Sequence, residues 1–436
     1  MDPNTMQDLL VMRRTAVPTN DKAVRDRLRR LGKPITLFGE QGMERRSRLS
    51  NLMGSLSVDK LLETHVEEED AAPKEQVYDD QVSIYPFFTE GPKELREARI
   101  EIAKFSIKRA AVRNQRAKRL RDEESKWALK HAKDMVLDCS NFGDDRPLTG
   151  CSFSRDGKIL ATCSLSGVTN LREMRQVTNK IAVLEDNKER ATDVVFSPVD
   201  DDCLATASAD RTAKLWKTDG TLVQTFEGHL DRLARVAFHP SGRYLGTTSF
   251  DKTWRLWDIN TGAELLLQEG HSHGVCGIAF QQDGALAASC GLDSLARVWD
   301  LRTGRSILVF QGKTKPLLSV YFSPNGYHLA SGGEDNQCRI WDLRMRESLY
   351  TIAAHSNLVS QVKYEPQAGH FLATASYDMN VNIWSGRDFS LVKSLAGHES
   401  KVASLDITPD SSCIATVSHD RTIKIWTSSG NGEDES

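Results

Sequence analysis

The sequence predicts a mainly β chain in which tandem copies of one small sheet follow an α-helical and partly disordered amino-terminal region. Two observations carry this reading. Six segments end on a tryptophan, at Trp216, Trp257, Trp299, Trp341, Trp384 and Trp426, in steps of 41, 42, 42, 43 and 42 residues, and a fixed period of that length marks a repeat architecture rather than a string of unrelated domains. Within each segment alternating apolar residues flank turn signals such as SRDG, HPSG, QQDG and SPNG, so each copy holds three or four short strands. A step of 44 back from Trp216 reaches Arg172, and the run before it, CSFSRDGKILATCS, aligns with the later YFSPNGYHLASGG. That makes a seventh, degenerate copy.

Trp-Asp stands literally at Trp257-Asp258, Trp299-Asp300 and Trp341-Asp342, and with the period it resembles the WD40 repeat. The resemblance implies a seven-bladed WD40 β-propeller over residues 135–427, with a disordered tail at 428–436. Such a ring leaves no open sheet edge only if its last blade is completed from elsewhere in the chain. The stretch MVLDCS, residues 135–140, is placed to pair with the final strand near Trp426.

Three copies hold His, Ser and Asp at fixed offsets: His229, Ser249 and Asp251; His355, Ser376 and Asp378; His398, Ser418 and Asp420. A hydrolase triad uses the same residue types, but a catalytic site is built once and this set recurs. The WD40 resemblance implies instead a buried hydrogen-bond chain ending on the blade tryptophan, at Trp257, Trp384 and Trp426. Such a chain satisfies polar groups that cost about 1–3 kcal/mol each when left unpaired. There is no GxxxxGK[ST] loop, HExxH pair or GxSxG elbow, so neither an enzyme nor a cofactor is expected. Gly312-Lys313 in place of Gly-His, Gly291 and Gly333 in the position of Ser249, and Arg172 in place of a tryptophan predict looser blades, blade one most of all.

A formal net charge of -3 excludes a global polyanion binder and leaves only local basic patches. The start MDPNTMQDLLVMRR carries Asp2 and Asp8 where a secretory peptide needs basic residues, and no run reaches the roughly 20 apolar residues of a membrane span. A soluble, intracellular chain is expected. The eight cysteines lack CxxC or CxH spacing and sit in short apolar strands, which reads as reduced core thiols rather than metal ligands.

After a disordered tail at 1–18, residues 19–58 hold two short amphipathic helices. The first, TNDKAVRDRLRRL, opens on a Thr/Asn cap, aligns Val24, Leu28 and Leu31, and stops at Gly32 before Pro34. The second, MERRSRLSNLM, aligns Leu49, Leu52 and Met53. The elbow between them, Pro34 to Phe38, is extended and apolar, and the pair offers too little surface for a core of its own. It needs a covering surface, either this chain's own repeats or a partner.

Residues 59–90 form an acidic, disordered linker, with nine Asp or Glu against two Lys over 59–80. The sign reverses in the basic helical region 91–134, where Lys104, Lys108, Arg109, Arg113, Arg116, Lys118, Arg119 and Arg121 stand without an acid between Ile102 and Arg121. Leu95, Ala98, Ile102, Phe105 and Val112 make an apolar stripe at helical spacing, interrupted by Arg109. The first half of this helix can bury a face, while RNQRAKRLR is basic nearly all round. Arg and Lys at this density release counterions on meeting phosphate, so these eight residues are the candidate RNA contacts, positioning without reading sequence.

Leu31, Gly32, Pro34, Ile35, Thr36, Leu37, Phe38, Gly39 and Glu40, followed by Glu44, Arg45, Arg46, Arg48 and Leu49, resemble the splicing-factor motif of the pre-mRNA-processing factor four family. GPKELREARIEIAKFSIKRA at 91–110 and NFGDDRP at 141–147 extend the resemblance. It implies a non-catalytic scaffold subunit of the U4/U6 di-snRNP and U4/U6.U5 tri-snRNP, acting in pre-mRNA splicing in the nucleus. It also implies partners: a Prp-three-type splicing protein, a spliceosomal cyclophilin, other tri-snRNP proteins and U4/U6 snRNA. Leu31, Pro34, Ile35, Leu37, Phe38, Gly39, Glu40, Arg45, Arg46 and Leu49 are the expected partner-binding residues. The segments WDLR at Trp299–Arg302 and Trp341–Arg344 resemble the WDxR signature of substrate receptors in cullin-RING ubiquitin ligases, which is the alternative function.

Overall fold

A computed structural model of the chain describes residues 24, 25, 28, 31, 33, 42–54, 92–117, 122–174, 179–312 and 315–428. They belong to two compact units, Met1–Ile84 and Tyr85–Ser436. In the first, helix α1 spans Gly42–Gly54, and Val24, Arg25 and Leu28 are also helical. Val24, Leu28 and Leu49 form one buried cluster, with Leu31 and Leu52 packed half-buried against it. The two apolar stripes therefore cover one another. Leu49, expected at a partner, is instead fully buried in this internal contact, and Arg45 is 4% exposed. Pro34, Ile35, Leu37, Phe38, Gly39 and Glu40 lie outside the described residues.

The second unit contains seven sheets, each of four antiparallel strands. Blades one to six span residues 148–184, 191–226, 233–268, 275–311, 317–352 and 359–396. Blade seven combines residues 402–428 with the strand Met135–Phe142, which pairs antiparallel with Thr422–Ser428 and sets Leu137 opposite Trp426. Each blade turns alternating residues into the contact with its neighbour, so the core is a ring of apolar layers such as Leu215, Phe226, Val236 and Trp257 between blades two and three.

Blade one keeps the regular register despite its lost tryptophan: Leu160 pairs with Arg172 as Leu245 pairs with Trp257. The Arg172 side chain is 3% exposed and donates from Nη2 to the carbonyls of Gly143 at 2.7 Å and Phe142 at 3.1 Å. A charged side chain thus ties blade one to the end of the closing strand, where the other blades use an indole.

The recurring His and Asp do end on the blade tryptophan, but through a different hydroxyl from the expected one. Trp257 Nε1 donates to Thr247 Oγ1 at 2.9 Å, His229 Nε2 meets the same oxygen at 2.8 Å, and His229 Nδ1 meets Asp251 at 2.8 Å. Because the indole N–H can only donate and the carboxylate only accept, the proton order along the chain runs from Trp257 to Asp251. Ser249, Ser376 and Ser418 stand aside: Ser249 Oγ donates to the Arg232 carbonyl and accepts from the Asp251 N–H, a turn clamp. Thr374 and Thr416 take the linking place beside Trp384 and Trp426. Freed from the serine, the pattern also includes His271, Ser289, Asp293 and Trp299 in blade four, a complete chain despite Gly291.

The innermost strand of each blade is a sheet edge facing the channel, and its unpaired N–H groups need acceptors. Side chains of the adjacent blade supply many of them. Asp193 accepts from the Val236 N–H and pairs with Arg235 at 3.0 Å. Asp406 accepts from the Phe153 N–H and pairs with Lys363 at 2.8 Å. Gln361 accepts from the Leu405 N–H, and Ser319 from the Val362 N–H. Five of the eight cysteines are buried, and among the described residues all are free thiols. Burial pushes the Cys151 and Cys163 thiols up to about 12.

Two outcomes are expected. Thr247→Val strands both His229 Nε2 and the Trp257 N–H, and should lower stability by about 1–3 kcal/mol, read as a drop in the urea midpoint at unchanged slope; Ser289→Ala in blade four should cost a similar amount. Burial holds the His355 and His398 imidazoles below their ordinary value of 6.5. The unfolded chain therefore binds the extra protons, so thermal stability should be flat above neutral pH and decline as pH falls below about 6.5. Asp420 adds a second decline. Burial pushes its carboxyl up, but hydrogen bonds from Thr422 and His398 outweigh this and hold it at about 2, so its share is lost as pH falls from about 4 toward 2.

Candidate functional site

Two helices lie against one face of the propeller, the face built by the turns between the first and second strands of each blade. Helix α2, Lys93–Ala117, places Leu95, Ala98 and Ile102 at spacings of three and four residues. These join Tyr244, Trp254 and Leu266 of blade three and Ile278, Ala287 and Trp299 of blade four in one buried cluster. Beside Ile102 the seat becomes polar. Glu101 accepts from Arg243 at 2.6 Å and from the Tyr244 hydroxyl at 2.8 Å. Burial pushes the Glu101 carboxyl up, and these two donors more than reverse it, leaving it below the usual range.

Phe105 packs on His239, ring centroids 5.8 Å apart. The imidazole is wholly buried; Nε2 meets the Gly284 carbonyl at 2.9 Å and Nδ1 meets Ser241 Oγ at 2.8 Å. Burial under the helix lowers its pKa to about 4, so it is neutral and its Nε2–H donates to Gly284. Two turns further, Arg113 Nε donates to Asp283 at 2.8 Å and Nη1 to the Asn325 carbonyl at 2.6 Å. Its guanidinium lies over Gly326, φ +83°, where a Cβ would fall 2.6 Å from Cζ. Only glycine serves this turn, both for its left-handed backbone and for the space the arginine occupies.

Helix α3, Asp122–Lys133, buries Ala128 and Ala132. Ala132 enters the cluster of Phe371, Leu395, Val402 and Trp426 together with Met135, the first residue of the closing strand. Lys393 Nζ donates to the Lys133 carbonyl at 2.9 Å and so fixes the helix's carboxyl end. Trp127 remains 63% exposed and stacks on His131 at 5.2 Å.

The predicted RNA contacts divide under this geometry. Lys104, Lys108, Arg109 and Arg116 are exposed. Arg113 is not available, because Asp283 and Asn325 hold it against blades four and five. Lys118, Arg119 and Arg121 lie outside the described residues. Arg109 sits over the Phe105 ring at 5.3 Å, and Val112, expected on the buried stripe, is 65% exposed. Glu44 and Arg46 of α1 are exposed as well. The two WDLR segments form local pairs at the surface: Arg302 pairs with Asp300 at 3.0 Å, and Arg344 pairs with Asp342 at 2.8 Å while lying 3.9 Å over the Tyr327 ring. Those arginines serve their own turns.

Sequence reasoning missed the Arg113 seat and the His239 pocket. The signal for the first was present, since Arg113 follows Leu95, Ala98 and Ile102 on one helical face. Its acceptors, a loop carboxylate and a backbone carbonyl, come from turns some two hundred residues away and have no local signature.

Residues 24–52 match the family model described as pre-mRNA processing factor 4 (PRP4) like. Six segments, 179–217, 220–258, 263–300, 304–342, 346–385 and 389–427, match the WD domain, G-beta repeat. The chain is 82% identical over 444 residues to the U4/U6 small nuclear ribonucleoprotein PRP4-like protein of Arabidopsis thaliana, covering 99% of this chain and 79% of that protein. It is 41% identical over 429 residues to the U4/U6 small nuclear ribonucleoprotein PRP4 of Saccharomyces cerevisiae, covering 94% and 90%. With the Homo sapiens U4/U6 small nuclear ribonucleoprotein Prp4 it shares 44% identity over 193 residues, 43% of this chain and 36% of that one. With this likeness running through both the amino-terminal motif and the propeller, the chain belongs to the PRP4-like family of pre-mRNA processing factors.

Proposed function

We propose that the chain is a non-catalytic structural subunit of the U4/U6 small nuclear ribonucleoprotein, working in pre-mRNA splicing in the nucleus. The observation that carries this is the 82% identity to a plant protein of that name over 99% of the chain. The His-Asp sets fit a non-catalytic role, since each ends on a buried tryptophan and recurs from blade to blade. The ligase alternative gains nothing from the relatives matched over most of the chain, which are named as U4/U6 small nuclear ribonucleoproteins.

Within that particle, the elbow Pro34, Ile35, Leu37, Phe38, Gly39 and Glu40, with Arg46 beside it, docks on a protein partner. A Prp-three-type splicing protein and a spliceosomal cyclophilin are the partners the family resemblance implies, with further tri-snRNP proteins around the propeller. Of the exposed candidate RNA contacts, Arg109 and Arg116 serve U4/U6 snRNA phosphates. Lys118, Arg119 and Arg121 continue that basic run in the sequence.

A tagged chain isolated from nuclear extract should bring down U4 and U6 RNA together; a cullin and its adaptor in their place would overturn the reading. Leu37→Glu with Phe38→Glu should cut recovery of both RNAs at least tenfold, since burying two charges in an apolar contact costs well over 1.4 kcal/mol. Arg109→Glu with Arg116→Glu should flatten the dependence of RNA affinity on salt by about two phosphate contacts, measured by filter binding from 50 to 200 mM.

A further inference from the structure

Helix α2 carries a second apolar face that the propeller leaves uncovered. Successive residues turn by roughly 100° about a helix axis, so Ile100, Ile107 and Ala111 share a strip on the side opposite Leu95, Ala98 and Ile102. Ile100 is 46% and Ile107 65% exposed, and Ala111 is exposed too. The spacing of seven, then four, is that of one side of a two-helix seam. Lys104 and Lys108, both exposed, border this strip along one edge. A helix that binds phosphate alone gains nothing from isoleucines in the middle of its solvent face. Among the described residues the helix is already held without them, by the stripe beneath, by Glu101 and by Arg113.

We propose that this strip is the docking seam for an amphipathic helix of a partner protein, one with apolar residues at heptad spacing and Asp or Glu on its flanks. The apolar strip accounts for a helix rather than RNA as occupant, and the lysine border accounts for the acidic flank. The partner helix lies along α2, its apolar residues interdigitating with Ile100, Ile107 and Ala111 while its carboxylates meet Lys104 and Lys108. The inference rests on the chain's place in the U4/U6 particle, where such a partner would be found.

The test uses the assembled particle. The chain with Ala111→benzoylphenylalanine is expressed with a tag, the particle is isolated, and ultraviolet light fixes whatever touches position 111. Recovery of U4 and U6 RNA reports separately whether the chain has entered that particle, so its failure tells against the functional reading and not against the seam. The expected product is an adduct to a partner peptide with the stated pattern. Its yield should fall about tenfold or more when Ile100→Asp and Ile107→Asp are added, because the burial of two isoleucines is lost, and several-fold with Lys104→Glu and Lys108→Glu. An adduct to RNA, to residues of this same chain or a second copy of it, or to a protein segment without acidic heptads would overturn the proposal, as would no adduct from a particle that retains both RNAs. Circular dichroism and thermal melting of the free variants should match the parent chain, because both isoleucines are exposed.

Discussion

Everything in the larger unit depends on one pairing, that of Met135–Phe142 with Thr422–Ser428. A stack of four-stranded sheets with free ends would leave an open edge on its last blade and a bare apolar face at either side of the gap. Closing the circle removes both and makes each blade's burial conditional on its neighbours. The same strand also determines where the helices go. Met135 and Ala132 sit in one apolar cluster with blades six and seven, so α3 is drawn onto the propeller by the residue that begins the closure, and α2 precedes it along the chain.

Much of this architecture can be read without coordinates because it is periodic. A tryptophan every forty-two residues or so, turn signals at fixed offsets and a spare strand before the first copy are all local or repeated facts. The misreading of Ser249 as the link between His229 and Trp257 shows where periodicity stops helping. Thr247 and Ser249 point to the same face of one strand, both recur, and only the distance from the indole separates them. Likewise the loss of the tryptophan at Arg172 reads in sequence as a weakened blade. The structure supplies compensation that only geometry reveals, two backbone carbonyls at the end of a strand thirty residues earlier.

The amino-terminal part was legible in outline and misjudged in its surfaces. Hydrophobic spacing located α1 and α2 and the buried stripe of α2, but it assigned Leu49 to a partner when its own unit encloses it. Counting cations along α2 likewise merged two populations. Arg113 neutralises a loop carboxylate, while Lys104 and Lys108 keep their charges in water. Charge in a sequence is a sum, whereas recognition depends on which charges remain unspent after folding. A helix that is apolar on opposite sides and charged between them has little net amphipathicity, which is why the pattern looks weak when only one face is sought.

The closing pair also constrains how such a molecule is made. During synthesis the strand Met135–Phe142 leaves the ribosome before any blade exists, and its partner is the last strand to emerge. Until then the nascent chain exposes an unpaired edge at each end of a lengthening row of sheets, the kind of template on which chains aggregate. A chain stopped a few residues ahead of Thr422 would keep that unpaired edge.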